Sequence, residues 1–195
     1  MNLAFTKYHQ LSAKDFLARL EKDHGFEVVP PINVERIVEL VGARLDSSVD
    51  FENISAAGSV SIHNHHARIW VNPLESSYEP RKRFTIAHEI GHLIQHIDPE
   101  IGVREFIDTK KTLNRKDSYW DSKEYEANNF AAQLLMPVSL LKKHGNEIIA
   151  QYKKKTGGSG MSVDLFIERM ASLFNVSEPA MKYRLRNIGA IKPNR

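Results

Sequence analysis

The chain of 195 residues contains no cysteine. That excludes a disulfide framework and any thiolate metal site, so a bound metal must be held by His, Asp or Glu. Long apolar runs are missing as well. No stretch approaches the roughly 18 consecutive apolar residues of a membrane span, and the opening "MNLAFTKYHQLSAKDF" lacks the apolar centre of a signal peptide. The expectation is a cytoplasmic protein without membrane contact. Nor is there a strong charge bias: a formal net charge of +3 is too mild to argue for nucleic acid by itself. What the chain does have is 42% hydrophobic and 26% charged residues. That is the composition of a globular protein able to bury a core, with length for one ordinary domain and a small appendage.

Local patterning divides the chain. "LSAKDFLARLEKDHG" predicts an amphipathic helix, with Ser12 as its cap, Phe16, Leu17 and Leu20 as its apolar face and Gly25 as its stop. "INVERIVELVGA" predicts a second, short helix through Ile37, Val38 and Val41. From Leu45 to Val71 the pattern alternates. Val60 and Ile62 before "HNHH", with Ile69 and Val71 after it, predict two antiparallel strands joined by a turn. His63, His65 and His66 in that turn read as solvated residues rather than a second metal site. A helix is predicted from about Ser77 through His96, closed by Asp98-Pro99. Residues 98 to 121 are polar, basic and without period, and are expected to form a long excursion with little regular structure. "SKEYEANNFAAQLLMP" predicts a helix that stops at Pro137, and "VSLLKKHGNEIIAQYKKK" another, weakened at Gly145. The charged, then glycine- and serine-rich "KKKTGGSG" reads as a linker, with helical segments beyond it at 162–174 and 177–187. The expected division is residues 1–152 as the main domain, 153–160 as a flexible linker and 161–195 as a C-terminal helix pair.

The segment "RFTIAHEIGHLIQH", residues 83 to 96, carries the chemistry. On a helix at about 100° per residue, His88 and His92 lie roughly 40° apart, one turn above the other, so both imidazoles can reach one ion. Glu89 falls on the same side, while Ile86, Ile90, Leu93 and Ile94 take the opposite one. In the H-E-x-x-H arrangement two neutral imidazoles bind zinc and the glutamate takes a proton from water activated by the metal. Gly91 costs helix propensity but leaves a position where another segment can approach closely.

A catalytic zinc needs a third protein ligand. In the pattern H-E-x-x-H-x-x-G-x-x-H it sits six residues past the second histidine. Here that residue is Asp98, but Gln95 replaces the glycine that lets the chain reverse, and this option is set aside. The better source is a second helix. Glu124 and Glu126 of "EYEANNFAA" flank the apolar stripe of Ala127, Phe130, Ala131 and Leu134, on opposite edges. Helical spacing does not choose between them.

Together, "RFTIAHEIGHLIQH" and "EYEANNFAAQLLMP" resemble the ImmA/IrrE family of zinc-dependent endopeptidases, also called the domain-of-unknown-function 955 family. "RIWVNP" upstream and "FNVSEPAMKYRLRNIG" downstream extend the likeness over most of the chain from about residue 67. In that family a segment like F-T-x-A-H-E-x-G-H carries two histidine ligands and the catalytic glutamate. The third ligand is the first residue of an E-A-N-x-F-A-x-x-L-L-M-P segment. Position by position, the resemblance implies His88, His92 and Glu126 as ligands of one zinc ion per chain, and Glu89 as the general base. It implies an α+β, zincin-like fold with a small antiparallel sheet beside the active-site helix, plus a C-terminal helical appendage. In such peptidases an exposed strand edge next to that helix pairs with extended substrate, and Arg68, Ile69, Trp70 and Val71 are the expected edge. His96, Tyr119 and Tyr125 are candidates for supporting the transition state. For His96 the plainer reading is a partly exposed histidine near a helix end.

The resemblance also implies a biological role. Family members are often encoded on phages and mobile elements beside a helix-turn-helix repressor, which several of them cut, while others serve in toxin–antitoxin pairs. The expectation is an endopeptidase whose substrate is a protein partner, a helix-turn-helix transcriptional repressor. The alternative is a DNA-binding or toxin–antitoxin partner protein in which the zincin core acts by binding rather than cleavage. An intact Glu89 weighs against it, because a scaffold has no use for the base. The tail "ASLFNVSEPAM", followed by Lys182, Arg184 and Arg186, fits part of a helix-turn-helix pattern, with Asn175 where a turn glycine is usual. Pro179 lies early in the second helix and no recognition face is evident, so nucleic-acid contact through the tail is not favoured. "TKKTLNRK" reads as a solvated loop.

Overall fold

The structure is a computed structural model that describes residues 3–63, 66–98, 100, 102–109 and 122–192. His65, Tyr119 and all of "TKKTLNRK" after its first residue lie outside the described residues. A short 3-10 helix, Ala4–Tyr8, leads into α1 (Ala13–His24). Ser12 accepts a hydrogen bond from the Asp15 amide, satisfying one of the donors that a helix start leaves over. Gly25 ends α1 at φ 63°, a left-handed conformation that suits glycine. Then follow α2 (Val34–Leu40), β1 (Ala43–Asp46), β2 (Ala56–His63), β3 (His66–Val71) and the long helix α3 (Glu79–Gln95). After α3 come β4 (Glu105–Thr109), α4 (Ser122–Leu135), α5 (Val138–Lys155), α6 (Val163–Phe174) and α7 (Glu178–Asn187). The fold is α+β and zincin-like. No helix among the described residues is long and apolar enough to cross a membrane.

The four strands form one sheet in the order β1-β3-β2-β4. β2 and β3 pair antiparallel with Val60 opposite Ile69, as the alternation predicts, and β4 pairs antiparallel with β2. β1 lies outside β3 and runs parallel to it. The sheet is therefore mixed, which corrects the expectation of a purely antiparallel one. β4 is a strand that the sequence did not show, inside the stretch expected to have little regular structure. Its five residues offer only Phe106 and Ile107 as adjacent apolar positions, too few to show a period of two.

Helix α3 lies against β2 and β3, and α4 packs along α3. Gly91 allows that approach: a Cβ there would stand 3.2 Å from both the Cα and the carbonyl oxygen of Ala127. Helix α5 runs unbroken through Gly145, against which the Phe166 ring of α6 packs. Ile167, Met170 and Phe174 of α6, and Met181 and Leu185 of α7, are buried in the same cluster as Phe5, Ile86 and Leu134. Two buried arginines add polar ties. Arg83 donates to the carbonyls of Ile32 at 2.7 Å and Asn175 at 3.3 Å, and Arg184 donates to that of Met136 at 3.2 Å. The helices beyond residue 160 thus share the core of the chain that precedes them.

Candidate metal centre and active site

Helix α3 sets His88 and His92 one turn apart and facing the same way, with their Nε2 atoms 3.0 Å from each other. Both side chains are fully buried. The third donor comes from α4. Contact between Gly91 and Ala127 brings the residue one turn before Ala127, Glu124, against the histidine pair. Its carboxylate oxygens lie 3.3 Å from His88 Nε2 and 3.2 Å from His92 Nε2. The donor atoms of the three residues all fall within 4.8 Å of one another, and all three residues are buried. A buried carboxylate is costly without a compensating positive charge, and two imidazole nitrogens beside it supply the remaining donors of a zinc-type site. These residues fit a metal ion and can hold one.

Glu126, the third ligand that the resemblance implies, is not brought to the pair. It lies on the outer side of α4, its side chain 56% exposed, where a carboxylate oxygen meets His96 Nε2 at 3.0 Å. Residues two apart on a helix point roughly 200° apart, so Glu124 and Glu126 do not both reach the His88–His92 pair, and Glu126 meets His96 at the end of α3 instead. The way α4 crosses α3 turns the Glu124 edge inward.

Glu89 is buried next to His88 on the same helix. Room for its carboxylate comes from β2: a Cβ at Gly58 would come within 2.5 Å of Glu89 Oε1 and 2.9 Å of Thr85 Cγ2. Sequence reasoning missed Gly58, although a glycine inside a strand pattern is itself a sign of close approach. Gly58→Ala is therefore expected to push Glu89 out of place and lower turnover, by up to about 10²-fold for a displacement near 1 Å. Overpacking of this kind costs about 1–3 kcal/mol of stability. Turnover and thermal melting of the variant check this, and wild-type turnover in a folded Gly58→Ala protein would contradict it.

His96 sits behind His92 rather than facing the metal position, with the two Nδ1 atoms 3.0 Å apart. Burial pushes its pKa below the ordinary histidine value, against the raising pull of Glu126. Phe106 of β4 stacks on the His92 ring at 4.9 Å and 18°. Of the other candidates for transition-state support, Tyr125 is exposed on the outside of α4 and Tyr119 is outside the described residues. The expected substrate edge also changes. Arg68 to Val71 belong to β3, which is paired on both sides by β1 and β2 and so has no free ladder. Arg68 is further engaged with Asp46 at 2.6 Å, and the Trp70 indole donates to the Ser48 carbonyl at 2.9 Å. The edge strand beside the histidines is β4, whose outer ladder no described strand occupies.

No curated protein matches the chain. One family model does, "Peptidase_M78: IrrE N-terminal-like domain", over residues 47–186. That span takes in β2 through nearly all of α7, and with them His88, Glu89, His92, Glu124 and Glu126. The chain belongs to this family, the metallopeptidases of the IrrE and ImmA type.

Proposed function

We propose that the protein is a zinc-dependent endopeptidase that hydrolyses a specific protein partner, with His88, His92 and Glu124 holding the ion and Glu89 serving as general base. The observation that carries this reading is the buried convergence of two imidazoles and one carboxylate, with a second carboxylate next to it on the same helix. When bound, zinc supplies Lewis acidity, which acidifies water and polarises a peptide carbonyl. The chain's own residues do the rest. Glu89 takes a proton from the attacking water as the water oxygen bonds to the carbonyl carbon and the carbonyl π pair moves onto its oxygen. Glu89 then returns that proton to the nitrogen as the C=O bond re-forms and the C–N bond breaks, leaving a carboxylic acid and an amine. Gly58 and Thr85 shape the space that holds the Glu89 carboxylate. β4, whose outer ladder no described strand occupies, offers that ladder to an extended substrate, and Phe106 gives it an apolar surface beside His92.

Backbone pairing along β4 is blind to sequence, so selection of the substrate must come from docking elsewhere on the surface. A helix-turn-helix repressor, cut at one or a few exposed linker bonds, is the partner that the family resemblance favours. Zinc-loaded full-length protein is expected to cut such a partner at those bonds and casein only poorly, with both activities lost on chelation. Fragment mapping by mass spectrometry checks this. Efficient, indiscriminate digestion of casein would contradict it.

A further inference from the structure

His92 presents its two ring nitrogens to different neighbours. Nε2 faces His88 and Glu124, while Nδ1 stands 3.0 Å from His96 Nδ1. On its far side, His96 Nε2 stands 3.0 Å from Glu126 Oε2. A histidine that ligates through Nε2 must leave that nitrogen unprotonated, so neutral His92 carries its proton on Nδ1. The atom placed to accept that proton is His96 Nδ1. His96 must then carry its own proton on Nε2, which points at the Glu126 carboxylate. Each contact has one donor and one acceptor, and the line ends on an anion. With both rings neutral and His92 ligating through Nε2, one arrangement of protons satisfies both contacts.

We propose that His96 and Glu126 are positioning residues, a hydrogen-bonded line that holds His92 in the tautomer and orientation that turn Nε2 toward the metal. The inference rests on the reading of His88, His92 and Glu124 as ligands. A carboxylate behind a ligating histidine fixes the ring and raises its basicity. Phe106 supports the same function, since its ring stacks on His92 at 18° and lies 5.6 Å from His96. An exposed Glu–His pair on a surface does little by itself. This one differs because the His96 side chain is only 5% exposed and its other nitrogen is directed inward at His92. Glu126 thereby acts on the metal without touching it.

The test is the Zn²⁺ dissociation constant of the full-length protein, measured by competition with a chromophoric chelator, alongside the visible spectrum of the Co²⁺-loaded form. His96→Phe and Glu126→Ala are expected to bind one ion per chain about 10–100-fold more weakly and to shift the Co²⁺ bands. Glu126→Gln keeps an acceptor oxygen and should lie nearer the wild type. Glu126 is exposed, so its two variants decide the matter even where His96→Phe fails to fold. Wild-type affinity and an unchanged spectrum in Glu126→Ala overturn the proposal. A Glu124→Ala arm separates the two readings. Zinc lost in Glu124→Ala, with Glu126→Ala behaving as wild type, overturns the line behind His92 and leaves the ligand set standing. Zinc kept in Glu124→Ala and lost in Glu126→Ala overturns the ligand set, and the positioning role with it.

Discussion

Replacing Glu89 with glutamine is expected to lower peptide cleavage by about two to four powers of ten, the usual loss for a general acid–base group, while zinc stays bound. Glutamine matches glutamate in size, so it fits the space that Gly58 leaves for the side chain. Its amide cannot take a proton at neutral pH. Glu89 is not one of the three converging donors, so the variant should retain one ion per chain. Turnover on the partner and zinc content, measured on the same preparation, separate chemistry from binding. Unchanged turnover would remove Glu89 from the mechanism. Loss of zinc would mean that Glu89 helps to hold the ion.

Deleting residues 161–195 is expected to leave a chain that does not fold. The deletion removes Ile167, Met170, Phe174, Met181 and Leu185 from the shared core. Burying a side chain of this size contributes about 1.5–3 kcal/mol. Five of them rival the whole stability of a typical domain, about 5–15 kcal/mol. The cut also leaves two buried guanidinium contacts broken: Arg83 loses the Asn175 carbonyl, and the Met136 carbonyl loses Arg184. Far-UV circular dichroism and thermal melting of the truncated protein check this. A cooperative transition near that of the full-length protein would show that α6 and α7 are dispensable to the core.

Local signals in the sequence suffice where local physics decides the outcome. Ser12 and Gly25 bound α1 because a hydroxyl and a left-handed glycine are what those two positions require. Val60 and Ile69 face each other because alternation in two neighbouring segments leaves little choice of register. His88 and His92 share a helix face by spacing alone.

What was not legible depends on contacts between distant segments. Glu124 and Glu126 flank the same stripe of Ala127, Phe130, Ala131 and Leu134, and only the crossing of α4 over α3 decides which edge meets the histidines. No periodicity carries that information. β4 has too short a pattern to stand out from a basic, polar stretch, and its place is set by pairing with β2. The same pairing, with β1 on the other side of β3, leaves β3 an interior strand and makes β1 and β4 the edge strands among the described residues. α6 and α7 follow a glycine-rich connection that resembles a linker, yet their apolar faces close the core.

The most direct measurement is an anomalous-difference map recorded at the zinc edge from crystals of the zinc-loaded protein. The account predicts one peak per chain, about 2.0–2.2 Å from His88 Nε2, His92 Nε2 and a Glu124 carboxylate oxygen, with Glu126 hydrogen-bonded to His96. A peak coordinated by Glu126 in place of Glu124, or no peak between the two histidines, would contradict it.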